Sequence, residues 1–443
     1  SRVYSADMLR RHLYRILRIG TPLLGSNLAM YLYRLADAIM VGRLGVEPLA
    51  TIAMATLYTN VHEMFIWPVA LGTQAIVSRR FGRDDGGPTD VVAASGILSG
   101  LFAGGMATLL ALLAPLILPV LTPGLARGAI PYVLINAASF PLIGIASALR
   151  GYLSGVHRTR VVMTAIVSSN ILNVLLNAVF IFGLAGFPAL GVTGAAIGTV
   201  GARVLNLVVL GMASLGTIRG VRPVLPISIR ILRIGAPVAI QNAIAMSVVL
   251  LYQSMLGTIG AVYQAVTHVV FSTFRINKTL VGGYANGASI LVGNALGRGD
   301  REESIQIIRA QQVIGIGVGI LVCAVVLTVP GTIAHAFDLS GTARNLAIFA
   351  FRFFAVFFLV EIAAYSLEII FTHNGWGRFV LAGEAITNAL GIVLLPAAAI
   401  FVFHLGHIGA WAGFTVYQVS HAAILYAGYL SRRWASIEVD ESV

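Results

Sequence analysis

The chain has 443 residues, of which 58% are hydrophobic and only 10% charged, with a formal net charge of +12. A soluble globular domain carries about 25% charged residues, so this composition excludes an aqueous protein and requires a bilayer as solvent. The single cysteine, Cys323, excludes an intramolecular disulfide.

Residues 1–17 are basic and lead into an apolar segment without a small-residue cleavage site, so they are expected to be a cytoplasmic segment rather than a cleavable signal. Twelve segments then suit a membrane helix of about 20 residues each. Six are expected near 18–42, 50–78, 91–121, 129–150, 161–183 and 190–215. After a polar linker at 216–230, six more are expected near 231–258, 262–294, 306–332, 345–371, 379–403 and 407–430, followed by a tail at 431–443. The fold class expected is therefore an all-α polytopic membrane protein. Pro68 lies inside its span and is expected to kink it.

Residues 16–27 read ILRIGTPLLGSN and residues 231–242 read ILRIGAPVAIQN, an offset of 231 − 16 = 215. At that offset, without a gap, Gly20 meets Gly235, Pro22 meets Pro237, Asn27 meets Asn242, Gly45 meets Gly260 and Gly72 meets Gly287. A weaker match at offset 218 pairs Asn170 with Asn388 and Gly191 with Gly409. Solenoid units run about 20–50 residues, so a period this long points instead to a duplicated half. Two homologous six-helix lobes are expected, 18–215 and 231–430, as in transporters built from repeats.

The basic residues gather at alternate loops: RRHLYRILR, RRFGR, RGYLSGVHRTR, IRGVRPVLPISIRILR, GRGDRE and SRRW. The loops between them, such as AGFPALG, GTIGAV and FHLGH, hold no Lys or Arg. This is the positive-inside pattern, which places both termini and the linker in the cytoplasm of a cell in whose inner or plasma membrane the chain sits. The positive charge is read as orientation and contact with anionic lipid, not as nucleic-acid binding.

A charge at the bilayer centre costs about 2.5–3.5 kcal/mol on insertion scales, so each intramembrane ionisable residue is a functional candidate. Asp37 comes first, as a carrier of an exchangeable proton or sodium; the competing reading is a static pair with Arg34 at i, i+3. Asn173 and Asn177 share a helix face, and Thr199 is a weaker member of the same polar cluster. An amide can ligate sodium or hydrogen-bond Asp37 but cannot carry a proton, so a sodium site would draw on Asp37, Asn173 and Asn177. The competing reading of these groups is interhelical hydrogen bonding. In the second half, Tyr252 stands opposite Asp37 at the 215 offset. Arg275 and Lys278, with His268 two turns earlier, are expected to cluster with Glu361 and Glu368, which flank Tyr365; Glu384 adds a further acid. That cluster is either a substrate or gating element or a fixed network. Unpaired, its basic pair would favour an anionic or zwitterionic substrate. No nucleotide-binding loop and no compact His or metal motif is present, so neither an enzyme nor a cofactor is expected.

The stretches ADAIMVGRLGVEPLATIA (36–53), GTQAIVSRRFGRDD (72–85) and GASILVGNALGRGD (287–300), with RGYLSGVHRTRVVM and LGVTGAAIGTV, resemble signatures of the multidrug and toxic compound extrusion (MATE) family of the MOP flippase superfamily. The resemblance covers nearly the whole chain. It implies a V-shaped pair of six-helix lobes and an alternating-access antiporter, with no partner needed beyond its own chain. Such a protein expels amphipathic, mainly cationic, drugs or toxins in exchange for protons or Na+. It also implies an ion-coupling role for Asp37, the acid of a D-x-x-x-V-G signature. The chain departs from the pattern at Asn177, where some members carry an acid, and at Ala245, where several carry Glu. In this architecture the helices of Glu63 and Lys278, which align at offset 215, face each other between lobes, so a Glu63–Lys278 pair is expected; two unrelated charges are the competing reading. Arg34, Arg275, Lys278 and Arg352 keep a rival alive, a flippase of lipid-linked precursors or oligosaccharides.

Overall fold

A computed structural model describes residues 2–83 and 88–439, with the side chains of residues 2–6, 34 and 35 set aside. Every regular element among the described residues is helical. In chain order they begin with α1 (Arg2–Gly42), α2 (Val46–Glu63), α3 (Pro68–Gly82), α4 (Thr89–Ala111), α5 (Ala114–Leu121) and α6 (Ala126–Ala138). Next come α7 (Phe140–Gly155), α8 (Thr159–Phe182), α9 (Gly191–Ile218), α10 (Leu225–Ile259), α11 (Ala261–Gly297) and α12 (Arg301–Thr328). The last are α13 (Pro330–Ala336), α14 (Gly341–His373), α15 (Gly377–Thr387), the single turn α16 (Leu395–Ala397) and α17 (Gly406–Ser431). Around α16 the helix widens into π turns at Asn388–Leu394 and Ala398–Val402.

Breaks fall where backbone chemistry requires them. Gly45 and Gly260, 215 residues apart, turn the chain between two long helices at φ values of 114° and 144°. Those values lie in a region that side chains with a Cβ avoid. Pro68 has no N–H for the Met64 carbonyl, so the expected second span breaks between Glu63 and Pro68. Within the break, the Ile66 and Trp67 amides both donate to the Glu63 carbonyl, at 2.9 and 3.1 Å. At the kink expected at Pro68 the helix is thus interrupted by four residues, 64–67, whose amides bond back to the preceding turn. Position 283, opposite Pro68, is Gly, and α11 runs through it without interruption.

Among the described residues, seven helices are long and apolar enough to cross a membrane, and the pair α6–α7, bent by 46°, makes an eighth. The twelve expected segments all lie over helix, but α1, α2–α3, α11 and α17 fall short of that measure. The reason is chemical: α2–α3 is broken, and the others carry Asp37, Arg275, Lys278, Gln418 and His421 on their faces.

The chain divides into two compact units that do not follow the sequential boundaries expected from the repeat. One unit comprises Ser1–Leu24 and Ile240–Glu438, the other Gly25–Ala239 and Val439–Val443. The ILRIG openings have therefore exchanged units. In the first unit, Gly287 lies against Gly20, and Gly283 against Leu24, with Ile16, Ile19 and Leu23 in the same core as Ala288 and Leu291. In the second unit, Gly72 lies against the Ile231 carbonyl and Gly235 against Pro68. A Cβ at any of these glycines would collide with a neighbouring helix. Small residues that let helix backbones approach are the usual means of membrane helix packing. Each opening thus needs the glycine run of the other half, which explains why the chain writes it twice. Elsewhere in the second unit, Gly100 and Gly144 bring α4 against α7 in the same way.

Candidate functional site

The Gly25–Ala239 unit holds a cavity of about 500 Å³ lined by residues from α1, α2, α6, α7, α8 and α9. Asp37 lies on its wall, together with Tyr33, Asn173 and Thr199. Asn177 Nδ2 donates to Asp37 Oδ1 at 2.6 Å and to Asn173 Oδ1 at 2.9 Å. Asn173 Nδ2 in turn donates to Thr199 Oγ1 at 3.4 Å, and that hydroxyl donates to the Ala195 carbonyl at 2.9 Å. Tyr33, one helical turn earlier on α1, lies beside the Asp37 carboxyl group on the same wall. Asn173 and Asn177 are buried, which their i, i+4 spacing on α8 makes possible. Gly198 on α9 has no Cβ because the Asn177 side chain occupies that space. The result is a carboxyl group oriented by a fixed donor at the edge of open volume.

A second polar group in the same cavity forms at the helix break. Glu63, at the end of α2, pairs with Arg203 of α9. Arg203 also donates to Ser139 Oγ at 2.7 Å. Trp67, the N-cap residue of α3, faces the cavity with the Arg150 guanidinium 4.4 Å above its ring.

In the other unit, the expected acidic and basic residues come together in part. Lys278 Nζ pairs with Glu361 Oε1 at 2.5 Å and lies 5.2 Å above the Tyr365 ring. Gln418 Nε2 donates to Glu361 Oε2 at 2.7 Å. Glu368 accepts from Gln241 Nε2 at 2.7 Å, and the buried Glu384 has Gln241 and Asn388 as neighbours. Among the described residues the network holds one Lys against three Glu, each with an amide or ammonium nearby.

Several expected placements differ. Glu63 pairs with Arg203 and Lys278 with Glu361, so each charge has its partner in its own unit and the expected Glu63–Lys278 pair is not the one formed. The physical reason is that each has an opposite charge on a helix packed in its own bundle. Arg275 and His268 stand on the exposed face of α11, outside the Lys278–Glu361 cluster; His268 has Ser272 at 3.5 Å. Tyr252 is not among the residues that line the cavity around Asp37. It is buried in an aromatic core with Phe271 and Phe414, and its hydroxyl donates to the Ala410 carbonyl at 3.2 Å. The Arg34 side chain, the proposed static partner of Asp37, lies outside the described residues.

Two cavity residues are not singled out by sequence reasoning. Arg203 is a lone charge in the apolar α9, a signal by which it can be found. Arg150 reads as the first charge of a basic cytoplasmic loop, yet it lines the cavity. No group of three or more His, Cys, Asp or Glu suited to a metal ion occurs among the described residues.

The MatE family profile matches residues 22–179 and 237–397. The chain is 23% identical over 436 residues to the Probable multidrug resistance protein NorM of Thermotoga maritima, covering 95% of this chain and 92% of that one. It is 27% identical over 329 residues to the protein of the same name from Agrobacterium fabrum, covering 71% and 70%. Among solved structures it superposes on an outward-facing multidrug resistance MATE transporter of the MOP superfamily with a TM-score of 0.83, 22% identity and 98% of each chain covered. A MOP superfamily transporter from Pyrococcus furiosus gives 0.84, 21% identity and the same coverage. At these identities the structural matches show a shared fold.

Proposed function

Since this chain belongs to the MatE family, and so is a membrane transporter rather than an enzyme, we propose that it is a secondary antiporter exporting amphipathic, cationic small molecules in exchange for protons. The observation that carries this reading is Asp37, held by Asn177 at 2.6 Å on the wall of a cavity of about 500 Å³. Ligand pockets for small molecules span about 300–1,000 Å³. A carboxylate there attracts a cationic substrate when ionised and releases it when protonated, which is the exchange an antiporter needs.

Protons are favoured over Na+ by the group types: of Asp37, Asn173, Asn177 and Thr199, only the Asp37 carboxyl group can carry an exchangeable proton. Twelve spans in two six-helix lobes, both termini cytoplasmic and a monomeric working unit complete the reading. The family profile starts at residues 22 and 237, and 237 − 22 = 215 is the offset at which the sequence pairs with itself, which supports the two-lobe organisation.

The test uses purified protein in liposomes loaded with a fluorescent organic cation, under an imposed pH gradient and then a sodium gradient. Movement driven by the pH gradient and lost in Asp37→Asn is expected. Movement driven only by sodium would replace the coupling ion. No movement under either gradient would overturn the antiporter.

A further inference from the structure

The cavity charges differ in how they are balanced. Glu63 and Arg203 pair with each other, and Asp37 is held by Asn177. Arg150 is different: it has no ion pair and no hydrogen bond among the described residues, and its one contact of note is the face of Trp67 at 4.4 Å. Stacking uses the flat face of a guanidinium and leaves its N–H edges available. Those edges carry five donors and a charge that deprotonation does not remove. Arg150 lies on α7 five positions before its last residue, Gly155, yet none of the carbonyls at that helix end accepts from it.

The stacked ring and the free guanidinium edge thus meet at one place on the cavity wall, and Asp37 lines the same cavity.

We propose that Arg150, stacked over Trp67, is an oxyanion subsite of the transport cavity. The substrate is then an aromatic amphiphile that carries a carboxylate or phosphate as well as a cationic group, with the anion on Arg150, the aromatic body against Trp67 and the cation toward Asp37. This rests on the antiporter reading above and narrows its substrate class to zwitterions.

The experiment compares two radiolabelled probes that share one aromatic amine body, a carboxylate zwitterion and its methyl ester. Their affinities are measured by equilibrium dialysis against full-length protein in phosphatidylcholine nanodiscs, for wild type, Arg150→Gln and Arg150→Lys. Hydrogen bonds to charged groups contribute about 1.5–3 kcal/mol, so Arg150→Gln should cut the zwitterion-to-ester affinity ratio roughly tenfold or more. Arg150→Lys should retain part of the preference, since Lys keeps the charge but not the planar fork. A ratio unchanged by Arg150→Gln, whether both probes bind or both are lost, overturns the subsite. Gradient-driven transport of the same probes in liposomes separates the two readings. Transport with an unchanged ratio leaves the antiporter and removes the subsite. A shifted ratio without transport leaves the subsite and removes the antiporter. Repeating the dialysis with inorganic phosphate, and in nanodiscs containing phosphatidylglycerol, identifies the source of the anion. Loss of the zwitterion preference only with phosphatidylglycerol assigns the oxyanion to a lipid headgroup. Its loss with phosphate assigns a free oxyanion, and its persistence in both assigns the substrate's own group.

Discussion

The two units handle corresponding positions in opposite ways. Around Asp37 the second span is broken, the helices stand apart, and a cavity of about 500 Å³ remains. The equivalent position, Tyr252, is sealed among Phe271 and Phe414, and the equivalent span, α11, is continuous. At 63 and 278 the charge sign is reversed, and each residue finds an opposite charge inside its own unit, Arg203 and Glu361. A polar position in a membrane bundle thus has two outcomes. It borders open volume, or it is closed off among side chains that cover it. The backbone differs at the corresponding positions: the helix is interrupted before Pro68, and α11 runs through Gly283 without a break.

The largest expected effect is on transport. Asp37→Asn keeps the shape and the hydrogen-bonding capacity but not the exchangeable charge, and should reduce gradient-driven efflux by about a hundredfold or more, to the rate of protein-free liposomes. Tyr252→Phe in the same assay should leave efflux near the wild-type rate; a comparable loss there would break the contrast between the units.

Next come the two ion pairs. Arg203→Met leaves Glu63 unpaired in a site where the two side chains are only 20% and 10% exposed, and should cost about 3–5 kcal/mol of unfolding free energy. Lys278→Met should cost at least as much, because it removes the cation that faces Glu361, Glu368 and Glu384, and Glu361 is only 7% exposed. Denaturant unfolding in mixed micelles gives both values. A much smaller cost for Lys278→Met would show that Gln418, which still donates to Glu361, satisfies that carboxylate by itself.

The exchanged openings predict a smaller, graded effect. An added Cβ at Gly72 meets the backbone carbonyl of Ile231, which cannot move aside alone. At Gly287 the nearest atoms, Gly20 Cα and N, are 2.9 Å away. Gly72→Ala should therefore cost about 3 kcal/mol and Gly287→Ala about 1–2 kcal/mol, within the range for overpacking. Thermal unfolding in detergent ranks them, and the reverse order would sink the proposed packing. Smallest of all, Tyr252→Phe should lower stability by about 1 kcal/mol, the net value of one buried hydrogen bond, here to the Ala410 carbonyl.

Much is legible in the sequence alone. Hydropathy and the scarcity of charge leave only a membrane helix bundle, because unpaired backbone cannot cross a bilayer. The 215-residue offset is readable because packing glycines and turn glycines such as Gly45 and Gly260 have no substitute. Asp37 stands out because an intramembrane charge is costly and therefore rare. Its tie to Asn177 is of the kind expected, since the amide is the polar side chain at hand.

Only the tertiary structure decides the rest. Ion-pair partners are chosen by which helices pack together, so Glu63 takes Arg203, which is 140 positions away in the chain, and not the residue a sequence alignment puts opposite it. Arg150 resembles a loop charge because sequence shows distance along the chain and not the wall a side chain faces. The exchange of the two ILRIG openings is invisible for the same reason: a repeat states that two segments are alike, while the close approach of glycine faces decides which bundle each one joins. Composition and periodicity are properties of one chain in order, and they determine solvent, element type and cost. Partnership, cavity and closure are properties of contacts between distant segments, and they exist only once the helices are packed.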